Sequence, residues 1–292
     1  MSPATPRPDG RWLVVGSRGM LGTELLQVLA DRDVTGLDLP EIDITDQQSV
    51  HDQLAGFDVV VNCAAWTAVD DAEIHEDAAY AVNAGGPANL AHAASDHGSW
   101  LIQISTDYVF DGLAITPYAE DAPLAPRTAY GRTKAAGETA VEAGLADRSY
   151  LIRTAWLYGA NGPNFVSTMS RLAHGDGEVQ VVGDQVGQPT WARDLAQRIV
   201  EVTDVGAPAG RYHATAAGET SWFELARRVF QLAGAPTDRL KSVTTAQYPS
   251  RTPRPAYSVL GHEKWATVGL GPMRDWDAAL ADAWENGVAN QG

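Results

Sequence analysis

Tyr130 and Lys134 have the side-chain types and the spacing that proton transfer needs. They lie in a stretch rich in Ala, Lys, Arg and Glu, residues 128–141, which predicts a helix with both side chains on one face. Because a cation favours the phenolate, we expect Lys134 to lower the pKa of Tyr130 toward neutral pH. Ser105 and Thr106 follow an apolar run that predicts a strand, at the end where open α/β sheets bind ligands. We therefore expect a carbonyl oxygen to sit between these hydroxyls and Tyr130.

The elements that must position these residues alternate regularly along the first half of the chain. Buried strands are predicted at 11–16, 33–38, 57–65, 100–104 and 149–156. A glycine turn that enters a helix is predicted at 16–32, and further helices are predicted at 46–55 and 76–97 and around Tyr130. Near-continuous apolar strands separated by helices are typical of a parallel sheet covered on both faces. The sequence therefore predicts an α/β, Rossmann-like doubly wound fold.

We expect three segments in the chain. Residues 1–10 are rich in proline and predict a flexible extension, and residues 11–160 predict a dinucleotide-binding domain. Residues 161–292 are less regular and predict mainly a substrate-binding lobe, with late elements returning to the sheet. Within this lobe, the loop 185–190 could either line the site or support it, and Thr190 is predicted to cap a helix that begins at Trp191.

Composition and charge exclude several classes of function. With 21 basic and 37 acidic residues, the net charge is −16, which argues against a nucleic-acid partner. No apolar stretch reaches the length of about 18 residues that a membrane span needs, and no secretory signal is evident. Cys63 is the single cysteine, which fits a reducing cytoplasm, and the histidines show no metal-ligand spacing. We therefore expect a cytoplasmic protein without a metal site.

A glycine-rich turn follows the first predicted strand. Gly16 would allow the tight turn, Gly19 would let backbone amides approach a pyrophosphate, and Gly22 would let the helix pack closely on the strand. The spacing is GxxGxxG, and its position between a strand and a helix is the context that dinucleotide binding requires. We therefore expect a nicotinamide dinucleotide here.

The residues around this turn leave the phosphate state of the dinucleotide open. Asp38 ends the second strand, where a carboxylate binds ribose hydroxyls and repels a 2′-phosphate. Arg18 offers a cation to that same phosphate, so NADPH and NADH both remain candidates. Other residues are expected to flank the adenine or the nicotinamide ribose: Asp43, Ile44, Ala64, Ala65, Trp66 and Thr67.

Taken together, these residues resemble the dTDP-4-dehydrorhamnose reductase family of the extended short-chain dehydrogenase/reductase superfamily. The motifs that carry the resemblance are VNCAAWTAVDDAE, VNAGGPANLA, ISTDYVFDG, AYGRTKAAGE, RTAWLYG and GDQVGQPTWARDLA. The resemblance implies reduction of the C4 ketone of dTDP-4-dehydro-β-L-rhamnose by NADPH, with NADH also possible, and with Thr106, Tyr130 and Lys134 as catalytic residues. It adds Met20 and Leu21 to the cofactor contacts. The implied substrate contacts are Val69, Thr106, Asp107 and Trp156.

A proline-broken segment near the carboxyl end adds two arginines. Guanidinium groups suit a diphosphate, and of Arg251 and Arg254 the second is the better candidate because its RPxxSxL context is similar to that of the family. Two alternatives stay open. One is another nucleotide-sugar reductase or epimerase of the same superfamily, and the other is a non-catalytic regulatory subunit of the methionine adenosyltransferase type. A homodimer is also left open.

Overall fold

The computed structural model of the chain describes residues 5–248 and 250–288. The strands are β1 (Trp12–Val15), β2 (Val34–Leu37), β3 (Val59–Asn62), β4 (Trp100–Thr106), β5 (Ser149–Thr154), β6 (Leu157–Tyr158), β7 (Val179–Val182), β8 (Val186–Gly187), β9 (Thr190–Trp191), β10 (Gly210–His213), β11 (Thr220–Ser221) and β12 (Leu240–Val243). The helices are α1 (Met20–Val28), α2 (Gln47–Leu54), α3 (Val69–Ala72), α4 (Glu76–Tyr80), α5 (Gly86–His97), α6 (Ala129–Leu145), α7 (Phe165–Ala173), α8 (Ala192–Asp204), α9 (Trp222–Leu232), α10 (Glu263–Thr267) and α11 (Trp276–Glu285).

Six strands form one parallel sheet in the order β2-β1-β3-β4-β5-β10. The predicted doubly wound α/β fold is confirmed. The chain moves from β1 outward to β2 and then returns to the other side of β1 to place β3. A crevice therefore opens between the carboxyl ends of β1 and β3, the position where such sheets bind dinucleotides.

Strand β1 shows why this sheet must be covered on both faces. Its four residues are completely or almost completely buried. Trp12 and Val14 pack into a core that includes Leu25 of α1 and Ile199 of α8. Leu13 and Val15 pack on the opposite side, in a core shared with α2, α5 and α6. Since each fully buried Val or Leu side chain stabilises the fold by about 1.5–3 kcal/mol, the apolar pattern of the strand determines the two-layer covering.

A separate hydrophobic core lies in the second half of the chain. It packs side chains of α7, α9 and α11, among them Met169, Phe230 and Leu280, beside the parallel pair β7 and β12. Strand β10 and helix α8 return to the sheet. The division at residue 160 and the flexible extension 1–10 stay predictions, and residues 1–4 and 289–292 lie outside the described residues. Within the described part, no helix combines the length and apolar character needed to span a bilayer.

The predicted helix 76–97 is broken in the structure. A π-helical segment (Ala81–Gly85) separates α4 from α5. Pro87 has no N–H to donate to the carbonyl of Asn83, four residues earlier, so regular α-helical bonding cannot continue through this point. Gly86 packs closely against Ile44, because a Cβ there would lie 2.5 Å from Ile44 Cδ1.

Candidate active site

The three predicted catalytic residues meet in a cavity of about 750 Å³. Thr106 ends β4, and Tyr130 and Lys134 lie one turn apart on α6. Helix α6 begins after Thr128, whose Oγ1 accepts a hydrogen bond from Gly131 N at 3.0 Å. This cap determines where the first turn of α6 lies, and so it places Tyr130 beside the end of β4.

The electrostatics of Tyr130 differ from the sequence prediction. Burial raises the pKa of its phenol to about 12, the Thr106 hydrogen bond opposes that rise, and the Asp107 carboxylate adds to it. Lys134 directs its Nζ to the carbonyl oxygen of Ile104 at 2.7 Å, and burial lowers the pKa of this ammonium to about 8. The prediction that Lys134 lowers the Tyr130 pKa toward neutrality is therefore wrong for this structure. Tyr130 is a protonated phenol at neutral pH, which is the form a proton donor needs.

Asp107 is a buried carboxyl group beside these residues. Its Oδ1 accepts a hydrogen bond from Thr106 Oγ1 at 2.9 Å. Burial raises the pKa of Asp107 to about 6, and hydrogen bonds from Ser258 and Thr106 oppose the rise. The hydroxyl of Ser105 is engaged elsewhere, because it donates to Glu138 Oε1 at 2.5 Å. Ser105 lines the cavity, but its proton points away from the expected carbonyl oxygen.

The glycine-rich turn forms one end of the same cavity. Gly16 has φ +74°, and a Cβ there would lie 2.6 Å from Ala64 N. A Cβ on Gly22 would meet the Gly16 carbonyl oxygen, so both glycines are needed for the close approach of strand and helix. Gly19 is the N-cap of α1 and brings no side chain to its free N–H groups. Gly19, Met20 and Leu21 line the cavity, so the start of α1 borders it, as a pyrophosphate site requires.

Arg18 and Asp38, which give conflicting signals in the sequence, are bonded to each other. Asp38 Oδ2 accepts from the backbone N–H of Arg18 at 2.9 Å. The Arg18 guanidinium donates to Leu39 O at 2.5 Å and to Glu41 Oε1 at 2.6 Å, and it remains largely exposed. Although a backbone carbonyl and a carboxylate already engage it, this exposed guanidinium can still be reached by a phosphate. The conflict between the two residues is thus weaker than their sequence positions indicate.

The remaining cofactor candidates fall into two groups. Ala64, Ala65 and Thr67 line the cavity together with Gly19, Met20 and Leu21. The predicted residues outside the lining of this cavity are Gly16, Arg18, Gly22, Asp38, Asp43, Ile44 and Trp66. Trp66 is held by Asn83, which accepts from Trp66 N at 2.9 Å and donates to Trp66 O at 3.0 Å.

All predicted substrate contacts line the same cavity: Val69, Thr106, Asp107, Trp156 and Arg254. Trp156 has a left-handed backbone (φ +47°) and its ring stacks on Trp222, with centroids 3.5 Å apart and planes 8° apart. Arg254 donates through Nη2 to Asp70 Oδ2 at 2.8 Å. Its Nη1 is buried and has no hydrogen-bond partner among the described residues. A free, buried guanidinium nitrogen in a cavity wall is suited to an anionic ligand.

Comparisons with known proteins agree with this geometry. Residues 10–288 match the family described as RmlD substrate binding domain. A dTDP-4-dehydrorhamnose reductase of Streptomyces griseus is 49% identical over 288 residues, covering 96% of this chain and 95% of that protein. The chain belongs to the dTDP-4-dehydrorhamnose reductase family. A second relative, from Streptomyces antibioticus, is 49% identical over 284 residues, covers 96% of each chain, and is named a probable dTDP-4,6-dihydroxy-2-methyloxan-3-one 4-ketoreductase.

A solved structure of the same family carries the dinucleotide. It is the dTDP-4-dehydrorhamnose reductase of Bacillus anthracis in complex with NADP, which is 35% identical to this chain with a TM-score of 0.92. The similarity covers 95% of this chain and 99% of that one. The family resemblance read from the sequence motifs is therefore confirmed.

Several residues that line the cavity of the present protein were not predicted from its sequence. They are Cys63, Ile104, Tyr108, Thr154, Ala155, Leu157, Asn161, Gly162, Pro163, Trp222, Pro255 and Ser258. Gln185 also lines the cavity, whereas Gln188 and Thr190 of the same loop hydrogen-bond to Leu260 and Ala216 and support it from outside the lining. Ser258 lies in the same RPxxSxL context as Arg254, so that segment held a usable signal. Trp222 opens an amphipathic helix, a pattern that indicates core packing and hides its second role.

Proposed function

We propose that this protein reduces the C4 ketone of dTDP-4-dehydro-β-L-rhamnose to give dTDP-β-L-rhamnose, with NADPH as the reductant. The observation that carries the proposal is the meeting of Thr106, Tyr130 and Lys134 in one cavity with the uncapped, glycine-rich start of α1. The family's named activity and the NADP complex of a relative support it. The NADPH nicotinamide supplies the hydride.

In the proposed reaction, this chain's own residues manage the charge that develops on the carbonyl oxygen. Tyr130 donates its phenolic proton to that oxygen, and Thr106 donates a hydrogen bond to the same atom. Thr106 now donates to Asp107, so its hydroxyl must rotate toward the substrate when the ketone binds. Lys134 remains an ammonium below about pH 8 and would bind ribose hydroxyls of the cofactor.

The substrate's position is proposed to depend on three residues. Arg254, held in place by Asp70, would bind the diphosphate through its free Nη1. Asp107 and Trp156 would orient the deoxyhexose and so determine which face of the ketone receives hydride. The substrate's two negative charges would enter a chain of net charge −16, so Arg254 would have to overcome an unfavourable background.

A second candidate is reduction of a related dTDP-4-keto-6-deoxy sugar. The Streptomyces antibioticus relative, named for a different ketone, favours it at the same level of identity. The two candidates share the cavity and the catalytic groups, and they differ in the hexose that fits beside Trp156.

A turnover panel separates the candidates. NADPH oxidation is followed with dTDP-4-dehydro-β-L-rhamnose, with its C3 and C5 epimers and with its 2-deoxy analogue, and the product is identified by NMR. The proposal expects the highest kcat/KM for the L-rhamnose precursor. A higher value for an epimer or for the 2-deoxy analogue would support the second candidate. NADPH binding without turnover of any ketone would favour the non-catalytic subunit.

The finer details of the setting are also proposals. We propose a cytoplasmic enzyme, which the lone free Cys63 supports. Assembly as a homodimer is tested by light scattering at several protein concentrations. A mass of one chain at all concentrations would contradict it.

A further inference from the structure

A fully buried ion pair lies one helical turn beyond Lys134 on α6. Arg153 of β5 donates to Glu138 of α6 through Nε at 2.9 Å and through Nη2 at 2.7 Å, and neither side chain is exposed to solvent. Removing two charges from water is costly, and an apolar pair of similar volume is often as stable or more so. The pair is therefore weak evidence for stability alone, and its position points to another role.

The Glu138 carboxylate connects the two elements that carry the proton-transfer groups. Tyr130, Lys134 and Glu138 are spaced four residues apart, so they lie along one face of α6. Glu138 Oε1 accepts from Ser105 Oγ at 2.5 Å, and Ser105 directly precedes Thr106 on β4. Lys134 Nζ donates to Ile104 O at 2.7 Å. Two successive residues of β4 are thus joined to two successive turns of α6.

Arg153 extends the same network toward the second half of the chain. Its Nη1 donates to Glu120 O at 3.0 Å and lies 3.2 Å from His213 Nε2. His213 Nδ1 lies 3.0 Å from Gly261 O. Since burial and Arg153 lower the pKa of His213 to about 3, the imidazole is neutral, and Nδ1 is the nitrogen that donates. The guanidinium is therefore held from three sides, and it cannot follow α6 if the helix shifts.

We propose that Glu138 and Arg153 are positioning residues for the reduction: they hold the end of β4 that carries Thr106 in register with Tyr130 and Lys134, and Glu138 supplies the counter-charge of the Lys134 ammonium. This inference rests on the proposed function for its catalytic readout. Its electrostatic part, the effect of the Glu138 charge on the pKa of Lys134, does not depend on which ketone is reduced.

The charges around Lys134 support the second part of the role. The titratable groups that face it are Glu138 on its own helix and the Cys63 thiol after β3. Burial lowers the pKa of Lys134 to about 8, and the Glu138 charge is the largest influence that opposes the fall. Removing that charge must lower the Lys134 pKa further. Lys134 then loses its proton at a lower pH. The alkaline limb of any property that needs the ammonium moves to lower pH by the same amount.

The test uses a double variant, because Glu138→Gln alone would leave Arg153 buried and unpaired. Glu138→Gln/Arg153→Met removes both charges together. The control is Glu142→Gln/Arg211→Met, which removes the next ion pair along α6, where Arg211 and Glu142 make two contacts of 2.6 Å. For each protein, the NADPH dissociation constant is measured by nicotinamide fluorescence from pH 6 to 10, with kcat/KM and the melting temperature alongside.

We expect the alkaline limb of NADPH binding and of kcat/KM to move to lower pH in the Glu138/Arg153 variant. The control should retain the wild-type limb. A folded Glu138/Arg153 variant with an unmoved limb would overturn the inference, and a lowered melting temperature alone would indicate a purely structural pair. Absence of turnover in wild type would refute the proposed function, while the binding titration would still decide this inference.

A milder variant decides the positioning part if the double variant does not fold. Ser105→Ala removes the link to β4 and leaves the ion pair intact. We expect kcat to fall about tenfold with an unchanged pH limb and an unchanged NADPH dissociation constant, since one charge-assisted hydrogen bond is lost. A wild-type kcat in Ser105→Ala would overturn the positioning role.

Discussion

Gly187→Ala should displace Trp156, one of the predicted substrate contacts, through one added methyl group. A Cβ at Gly187 would lie 2.5 Å from Trp156 Cε2 and 2.7 Å from its Nε1. Ordinary carbon contacts begin near 3.5 Å, so the indole must retreat by about 1 Å. Trp222 already stacks on Trp156 with a centroid separation of 3.5 Å, and the backbone of Trp156 is left-handed. The Trp222 stack and the Trp156 backbone conformation therefore both oppose movement of the Trp156 indole.

The size of the effect follows from the cost of overpacking. Inserting a methyl into a filled site costs about 1–3 kcal/mol, and a displacement near 1 Å at a positioning residue lowers catalysis by up to about 100-fold. We expect kcat/KM for the nucleotide sugar to fall about 10- to 100-fold and the melting temperature to fall by a few degrees. The NADPH dissociation constant should change much less, because the added methyl meets Trp156 and Gly187 does not line the cavity beside the glycine-rich turn.

Steady-state kinetics and cofactor titration of Gly187→Ala test this directly. Gly177→Ala is the matched control, since a Cβ there meets nothing within 4 Å. Equal kcat/KM in Gly187→Ala and wild type would refute the view that Trp156 is held in position by close contact. A loss shared by both glycine variants would show that the effect is not specific to Trp156.

Three further outcomes follow. Arg254→Lys should raise KM for the nucleotide sugar about tenfold with little change in kcat, and the exposed Arg251→Lys should not; an unchanged KM would remove Arg254 from diphosphate binding. Arg18→Ser should weaken NADPH about tenfold and NADH little, by calorimetry; equal losses would contradict a 2′-phosphate contact. The pKa of His213 falls from 6.5 unfolded to about 3 folded, so between these values the unfolded chain binds more protons and stability is lost as pH falls. Urea unfolding at pH 7 and 5 should show this loss, and His213→Gln should reduce it.

The parts of the fold that were predictable from sequence are those governed by local patterns. Apolar runs such as 12–15 and 59–62 are buried strands, and the glycines after β1 mark the turn into α1. The same local logic located Tyr130 and Lys134 on one helix face. These predictions succeed because strand burial and helical spacing depend on residues close in the chain.

The sequence predictions that were wrong concern residues whose environment depends on partners distant in the chain. Thr190 does not cap α8, because Trp191 is the N-cap. Thr190 instead lies in the short strand β9, which pairs with β6, and its hydroxyl donates to Gln188 O. The Tyr130 pKa is raised because burial outweighs any influence of the neighbouring ammonium, and the spacing of two residues on a helix carries no information about burial. The Ser105 hydroxyl donates to Glu138, which lies 33 residues later in the chain. Trp222 reaches the cavity from a helix whose pattern indicates only core packing.

The most direct test of the proposed reduction is NADPH absorbance decay with dTDP-4-dehydro-β-L-rhamnose, measured for wild type and Tyr130→Phe. We expect rapid decay in wild type and a loss of about 10²- to 10⁴-fold in the variant, with NADPH binding nearly unchanged, because the phenol acts in proton transfer. Equal rates for the two proteins would contradict Tyr130 as the proton donor. No decay in wild type, despite measurable NADPH binding, would contradict the proposed reaction itself.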